Sequence, residues 1–140
     1  MEFMVESRSP KIRKFFEAIL PSMIEQLNLQ NSRKLLMVKV DKIDSQGVTI
    51  PMDSIDTYLV VVNKQSIAQM GITLAHEMVH VKQMAKGILK SHAKGNTWNG
   101  KLYTNKTKYL DQPWEQDAFA KQELVFRRAI ISWQVGKTVL

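Results

Sequence analysis

The sequence predicts an α+β fold, and three observations carry that expectation. A helical apolar pattern opens the chain, strand-like apolar runs occupy residues 34–63, and two further helical segments follow, separated by a stretch rich in Gly, Asn and Thr. The 140 residues fit one domain, read as 1–140, long enough to bury a single core.

Ser9-Pro10 reads as an N-cap followed by proline at the first helical position. From there Ile12, Phe15, Phe16, Ile19, Leu20, Met23, Ile24 and Leu27 recur at helical spacing, and Pro21 is expected to kink or split the helix. KLLMVKVDKI (34–43) is rich in β-formers, SQG (45–47) supplies a turn and GVTIPM follows, so this pair reads as a hairpin or short meander. TYLVVVN (57–63), apolar on both faces, suits a buried central strand. A helix runs from about residue 66 to 86, stopped by Gly87. Residues 88–110 read as loop, with a short hairpin around WNGKLY (98–103). A last helix opens in DQPWEQDAF, capped by Asp111 or Gln112, with Pro113 in its first turn.

Composition narrows the function classes. With no cysteine, a disulfide framework and a Cys-based zinc knuckle are excluded. No run approaches the roughly 18 apolar residues of a membrane span, and no signal segment is read near the N-terminus, so a cytoplasmic protein without a membrane partner is expected. The net charge of +7 is unevenly placed. Between Glu77 and Asp111 there is no acidic residue, whereas Lys82, Lys86, Lys90, Lys94, Lys101, Lys106 and Lys108 all fall there. Such a region, 82–108, would attract a polyanion such as nucleic acid, with Lys82, Lys86, Lys90 and Lys94 as the candidate contacts. It would equally serve as a solvated face that keeps a small protein soluble. All are Lys rather than the Arg suited to base or phosphate forks, and no stacking aromatic motif accompanies them.

The chemistry-bearing motif is HEMVH (76–80). Ile67, Met70, Leu74, Met78, Val81 and Ala85 share one stripe of its helix, the expected core face. His76, Glu77 and His80 gather with Thr73 on the other side. Histidines four apart project from successive turns and can reach one metal, about 2.0–2.1 Å from each nitrogen. The glutamate between them points beside the ion, where it can act as base toward a water that the metal activates. This is the zincin arrangement, and the strand just before the helix fits it. Solvated surface histidines are the alternative. A catalytic zinc also needs a third protein ligand. Gln83 and Lys86 stand where a further Gly and His would extend the motif, leaving His92, Asp111, Glu115 and Asp117 as candidates.

HEMVHVKQ, then WNGKLY, then YLDQPWEQDAF resembles the small zincin-like metallopeptidases often encoded by bacteriophages and bacteria. The resemblance covers residues 76 to about 118. It implies a zincin-like fold, with a small mixed or antiparallel sheet packed on the HExxH helix between N- and C-terminal helices. It also implies a gluzincin-type site holding one zinc per chain, with His76, His80 and Glu115 as ligands and Glu77 as general base. The host cytoplasm would be the setting of a phage-encoded member, and a protein or peptide the substrate. The residues themselves also favour Glu115, whose backbone is set in the first turn of a helix entered through Pro113; a role at the positive helix end is the alternative. Asp117 and Gln83 are candidates to support a ligand histidine from behind. Tyr103 and Tyr109 are candidates to hydrogen-bond a developing oxyanion. Trp98 and Trp114 read as packing residues.

Three rivals accompany the peptidase reading. A DNA-associated protease resembling the SprT-like family would use the lysines as its footprint, although the spacing after HEMVH does not match that family's third histidine. A non-catalytic module would use zinc only to order an interaction surface. A basic nucleic-acid-binding protein with an accidental HExxH would need no metal.

Overall fold

The structure, a computed structural model, describes the backbone of residues 1–139 and the side chains of residues 1–137. In chain order the elements are β1 (Phe3–Glu6), α1 (Pro10–Gln26), β2 (Leu35–Asp41), β3 (Gly47–Met52), β4 (Thr57–Asn63), α2 (Ile67–Ala85), β5 (Leu89–His92), β6 (Gly95–Trp98), β7 (Lys101–Thr104) and α3 (Pro113–Val139). The architecture is α+β, with one four-stranded mixed sheet and one three-stranded antiparallel sheet.

In the larger sheet the order is β1-β2-β4-β3, with β1, β2 and β4 parallel and β3 antiparallel to β4. The apolar run of β4 therefore takes an inner position, as its composition predicts. The expected pairing of residues 34–43 with GVTIPM does not form, because β4 inserts between those strands. β3 folds back on β4 instead, leaving its other edge free. That edge proves central to the site. β1 is an additional strand absent from the sequence reading.

Three helices supply the other layer. α1 is capped by Ser9, whose Oγ accepts from the Ile12 N–H at 3.3 Å, and it runs unbroken through Pro21. Proline at 21 cannot donate to the Glu17 carbonyl, but both residues are exposed, so water can take that acceptor and the helix is not split. Phe16, Ile19, Leu20 and Met23 of α1 meet Leu36, Val38, Val60 and Val62 of the sheet in the core. α2 starts at Ser66, which accepts from Gln69 N–H. It ends in a Schellman motif: Gly87, at φ +73°, donates to the Met84 carbonyl and Ile88 to that of Gln83.

The two-faced reading of α2 needs correction. Met70, Leu74, Met78 and Val81 enter the core as expected, but Ile67 and Ala85, at the ends of that stripe, are exposed. The opposite face is not solvated: β3 and α3 cover it, leaving His76, Glu77 and His80 only 7%, 5% and 6% exposed. Gly71 permits this close approach, since a Cβ there would run into the Phe126 ring of α3.

Residues 88–110 are mostly sheet rather than loop. The hairpin expected around WNGKLY forms between β6 and β7, with Asn99 and Gly100 both at positive φ in its two-residue turn. β5 completes the sheet on the other side of β6. α3 begins after Gln112, whose carbonyl accepts from the Glu115 and Gln116 N–H groups. Asp111 lies one residue earlier, in a short 3-10 turn.

Candidate metal centre

Three side chains converge between α2 and the first turn of α3. Glu115 Oε1 lies 2.8 Å from His76 Nε2 and 3.0 Å from His80 Nε2. One ligand atom from each of the three falls within 4.8 Å of the others. The i, i+4 spacing on α2 places both imidazoles, and Pro113 with the Gln112 carbonyl sets the backbone that delivers the carboxylate.

The outer hydrogen bonds of His80 fix which of its nitrogens carries the proton. Gln83 Nε2 donates to the Trp114 carbonyl at 3.0 Å and to Asp117 Oδ2 at 2.9 Å. Both partners are acceptors, so the amide orientation is fixed and Gln83 Oε1 must accept from His80 Nδ1, 2.8 Å away. His76 Nδ1 faces Gln122 Oε1 at 2.8 Å, and with the amide in this orientation it donates to it. In their neutral forms both imidazoles therefore aim Nε2 lone pairs at a carboxylate oxygen. Three acceptors facing one another require a cation between them, either a proton or a metal ion.

Electrostatics of the metal-free site follow. Burial disfavours the Glu115 carboxylate, but hydrogen bonds and charge from His76 and His80 outweigh it and hold the carboxyl at about 2. Burial also opposes a charged His80, yet the hydrogen bond and charge of Glu115 prevail and raise its pKa. The stabilisation contributed by Glu115 is present above its ordinary 4.5 and lost as the pH falls towards 2. That contributed by His80 is complete below its ordinary 6.5 and lost as the pH rises through the raised folded value. In the metal-free protein these two contributions are thus complete together between pH 4.5 and 6.5. Calorimetric scans across pH should show both flanks flattened in Glu115→Gln.

Comparison with protein-family models, curated proteins and solved structures finds no match. The site's chemistry must be argued from its own residues.

Glu77 stands beside the trio. Burial raises its carboxyl pKa, against the lowering effects of His80 and of the Thr49 hydrogen bond. Thr49 of β3 donates from Oγ1 to Glu77 Oε1 at 2.8 Å. Gly47, on the same face of β3, leaves room for the carboxylate: a Cβ there would stand 3.0 Å from Glu77 Oε2. Among the described residues no buried side-chain polar atom lacks a partner.

Around these groups opens a cleft of about 880 Å³, walled by β3 on one side and by residues of β5, β6 and α3 on the other. The two tyrosines named from the sequence part company here. Tyr109 lines the cleft, and its hydroxyl donates to Glu115 Oε1 at 3.3 Å. Burial and the Glu115 charge push that hydroxyl up to about 12, so it stays a donor. Tyr103 is not among the residues that line the cleft: its ring packs edge-on against Trp114, 5.9 Å between centroids, under the Lys101 ammonium.

The other candidates also separate. His92 lies at the exposed end of β5, beside Thr97 Oγ1, away from the trio. Asp117 touches no histidine; it pairs with Lys121 and acts only through Gln83. Gln83 itself bridges His80 to the backbone that precedes Glu115. Gln83→Leu should strand Asp117 and the Trp114 carbonyl and release the His80 ring, so that any metal held by the trio would bind about 10- to 100-fold more weakly in a competition titration with zinc. The lysines disperse: Lys82 lies near Asp117, Lys86 donates to the Asn28 carbonyl, Lys90 lines the cleft and Lys94 is exposed at the β5–β6 turn.

Four contributors escaped the sequence reading: Gly47, Thr49, Phe119 and Gln122. Phe119 packs edge-on against His76, centroids 4.6 Å apart. Helical spacing is the signal that finds it and Gln122, four and seven residues after Glu115 and therefore on its face of α3. Gly47 and Thr49 alternate along a strand whose partner helix carries the motif, a relation visible only once the strand order is known.

Proposed function

We propose that this chain is a zinc metallopeptidase with a zincin-like fold and a gluzincin-type ligand set. The observation that carries the reading is the convergence of His76 Nε2, His80 Nε2 and Glu115 Oε1, with each imidazole held from behind at Nδ1, by Gln122 and Gln83. Two imidazole nitrogens and one carboxylate oxygen form a donor set that suits zinc and leaves a coordination position open. A helix carrying the motif, packed under a mixed sheet with an antiparallel edge strand, also supports the zincin-like assignment.

Zinc held there would polarise the scissile carbonyl and the attacking water. The chain's own residues supply the rest. Glu77 accepts the proton of the attacking water and returns it to the leaving nitrogen, a role favoured by a carboxyl whose pKa burial has raised. Tyr109, at the cleft and permanently protonated, is placed to donate to the oxyanion. The free edge of β3 borders the cleft and suits an extended peptide added as a further strand. Lysines scattered among separate neighbourhoods lend less support to the nucleic-acid readings than one continuous stripe would.

Metal analysis of the purified chain, joined to cleavage of denatured casein, tests this reading. About one zinc per chain is expected, with cleavage lost to a chelator and restored by zinc. A chain that takes up no zinc on reconstitution would overturn it.

A further inference from the structure

The hydrogen-bond alternation of β3 singles out one residue. Asn63 N–H donates to the Gln46 carbonyl at 2.8 Å, and Gln46 precedes the Gly47↔Val62 pair. In an antiparallel ladder every second pair then exchanges bonds, so Val48, Ile50 and Met52 turn their backbone groups towards β4. Gly47, Thr49 and Pro51 turn theirs to the free edge. Pro51 fits this phase, because its missing N–H falls where no partner strand needs it. Ser45 Oγ already occupies the Gly47 carbonyl at 3.1 Å. What the edge offers an incoming strand is therefore the Gly47 N–H, the Thr49 N–H and carbonyl, and the Pro51 carbonyl. Thr49 supplies both groups with neither already engaged by a side chain.

The Thr49 side chain points at right angles to that edge, onto α2. Its hydroxyl has one proton and two acceptors in reach, Glu77 Oε1 at 2.8 Å and the Glu77 carbonyl at 3.2 Å; the charged and closer oxygen is favoured. Among the described residues no group hydrogen-bonds Glu77 Oε2 and no buried polar side-chain atom is without a partner, so Oε2 opens onto the cleft.

We propose that Thr49 is a positioning residue that registers an extended substrate and the general base on one residue: its backbone pairs with the peptide while its hydroxyl holds Glu77 Oε1, leaving Oε2 to move the proton. This rests on the peptidase reading above. Gly47 completes the arrangement by leaving the space that Oε2 and Cγ of Glu77 need.

The test compares wild type, Thr49→Val and Thr49→Ser by steady-state kinetics on one quenched fluorescent peptide, chosen from cleavage sites mapped in denatured casein. Zinc content is measured in parallel. Valine keeps the strand and its edge but removes the hydroxyl, so kcat should fall about 10- to 100-fold with KM within about twofold. Zinc should remain at about one per chain, and serine should restore kcat to within about threefold. A Thr49→Val enzyme with wild-type kcat overturns the proposal, as does a serine variant as slow as valine or a loss of kcat that tracks loss of zinc. A zinc-loaded wild type that cleaves nothing overturns the peptidase reading, and this inference with it.

Discussion

Glu77→Gln is expected to slow peptide hydrolysis about 100- to 10,000-fold while zinc stays at about one per chain. Glutamine keeps the shape of the side chain, and its amide oxygen can still accept from the Thr49 hydroxyl. Its neighbours His76 and His80 keep their hydrogen bonds to Gln122 and Gln83. Only the capacity to take a proton disappears. The measurement is kcat alongside metal content for the variant and the wild type. Near-normal turnover in the variant would place the base on another residue.

Glu115→Ala should have the largest effect on the metal itself. Removing an outer partner of a ligand costs roughly 10- to 100-fold in affinity, and removing a ligand should exceed that. Thermal stability should register the loss as well: zinc at about 100 times its dissociation constant contributes about 2.7 kcal/mol to the wild type, most of it absent from the variant at the same zinc concentration. Tyr109 would lose its hydrogen-bond acceptor in the same step. His92→Ala, at the exposed end of β5, serves as the control and should bind zinc like wild type. Zinc retained by Glu115→Ala but lost by His76→Ala would show that another group completes the site.

Local chemistry made part of this protein legible. Ser66 and Gly87 bracket the motif helix, Asn99-Gly100 marks a hairpin, and the apolar run of β4 announces an inner strand, because each signal is contained within a few neighbouring residues. Pairing between distant strands is a different matter. Residues 34–43 and 47–52 look like consecutive arms of a hairpin, yet β4 is more apolar than either arm and takes the place between them. β1 and β5, four residues each, carry too short a pattern to stand out. In the candidate site, the HExxH motif and PWE pointed to the trio that the fold gathers, since their spacing on helices determines where the side chains point. The choice between Tyr103 and Tyr109 depended on how β7 packs against Trp114, and the anchoring of Glu77 depended on which strand lies over it. Neither relation is written in local sequence.

The gathered trio draws on positions 76, 80 and 115, on two helices with a whole small sheet between them. During synthesis at about 5–20 residues per second, Glu115 follows His80 by roughly 2–7 s. Until α3 docks, the chain presents two side chains of the three, with no Trp114 carbonyl or Asp117 to orient Gln83. Affinity for a metal at the proposed site would then be coupled to the docking of α3, in the manner of sites whose binding energy is folding energy. An ion held by the proposed site would act as a clasp that closes only on a finished molecule, and a nascent chain without α3 would lack one of its three holders.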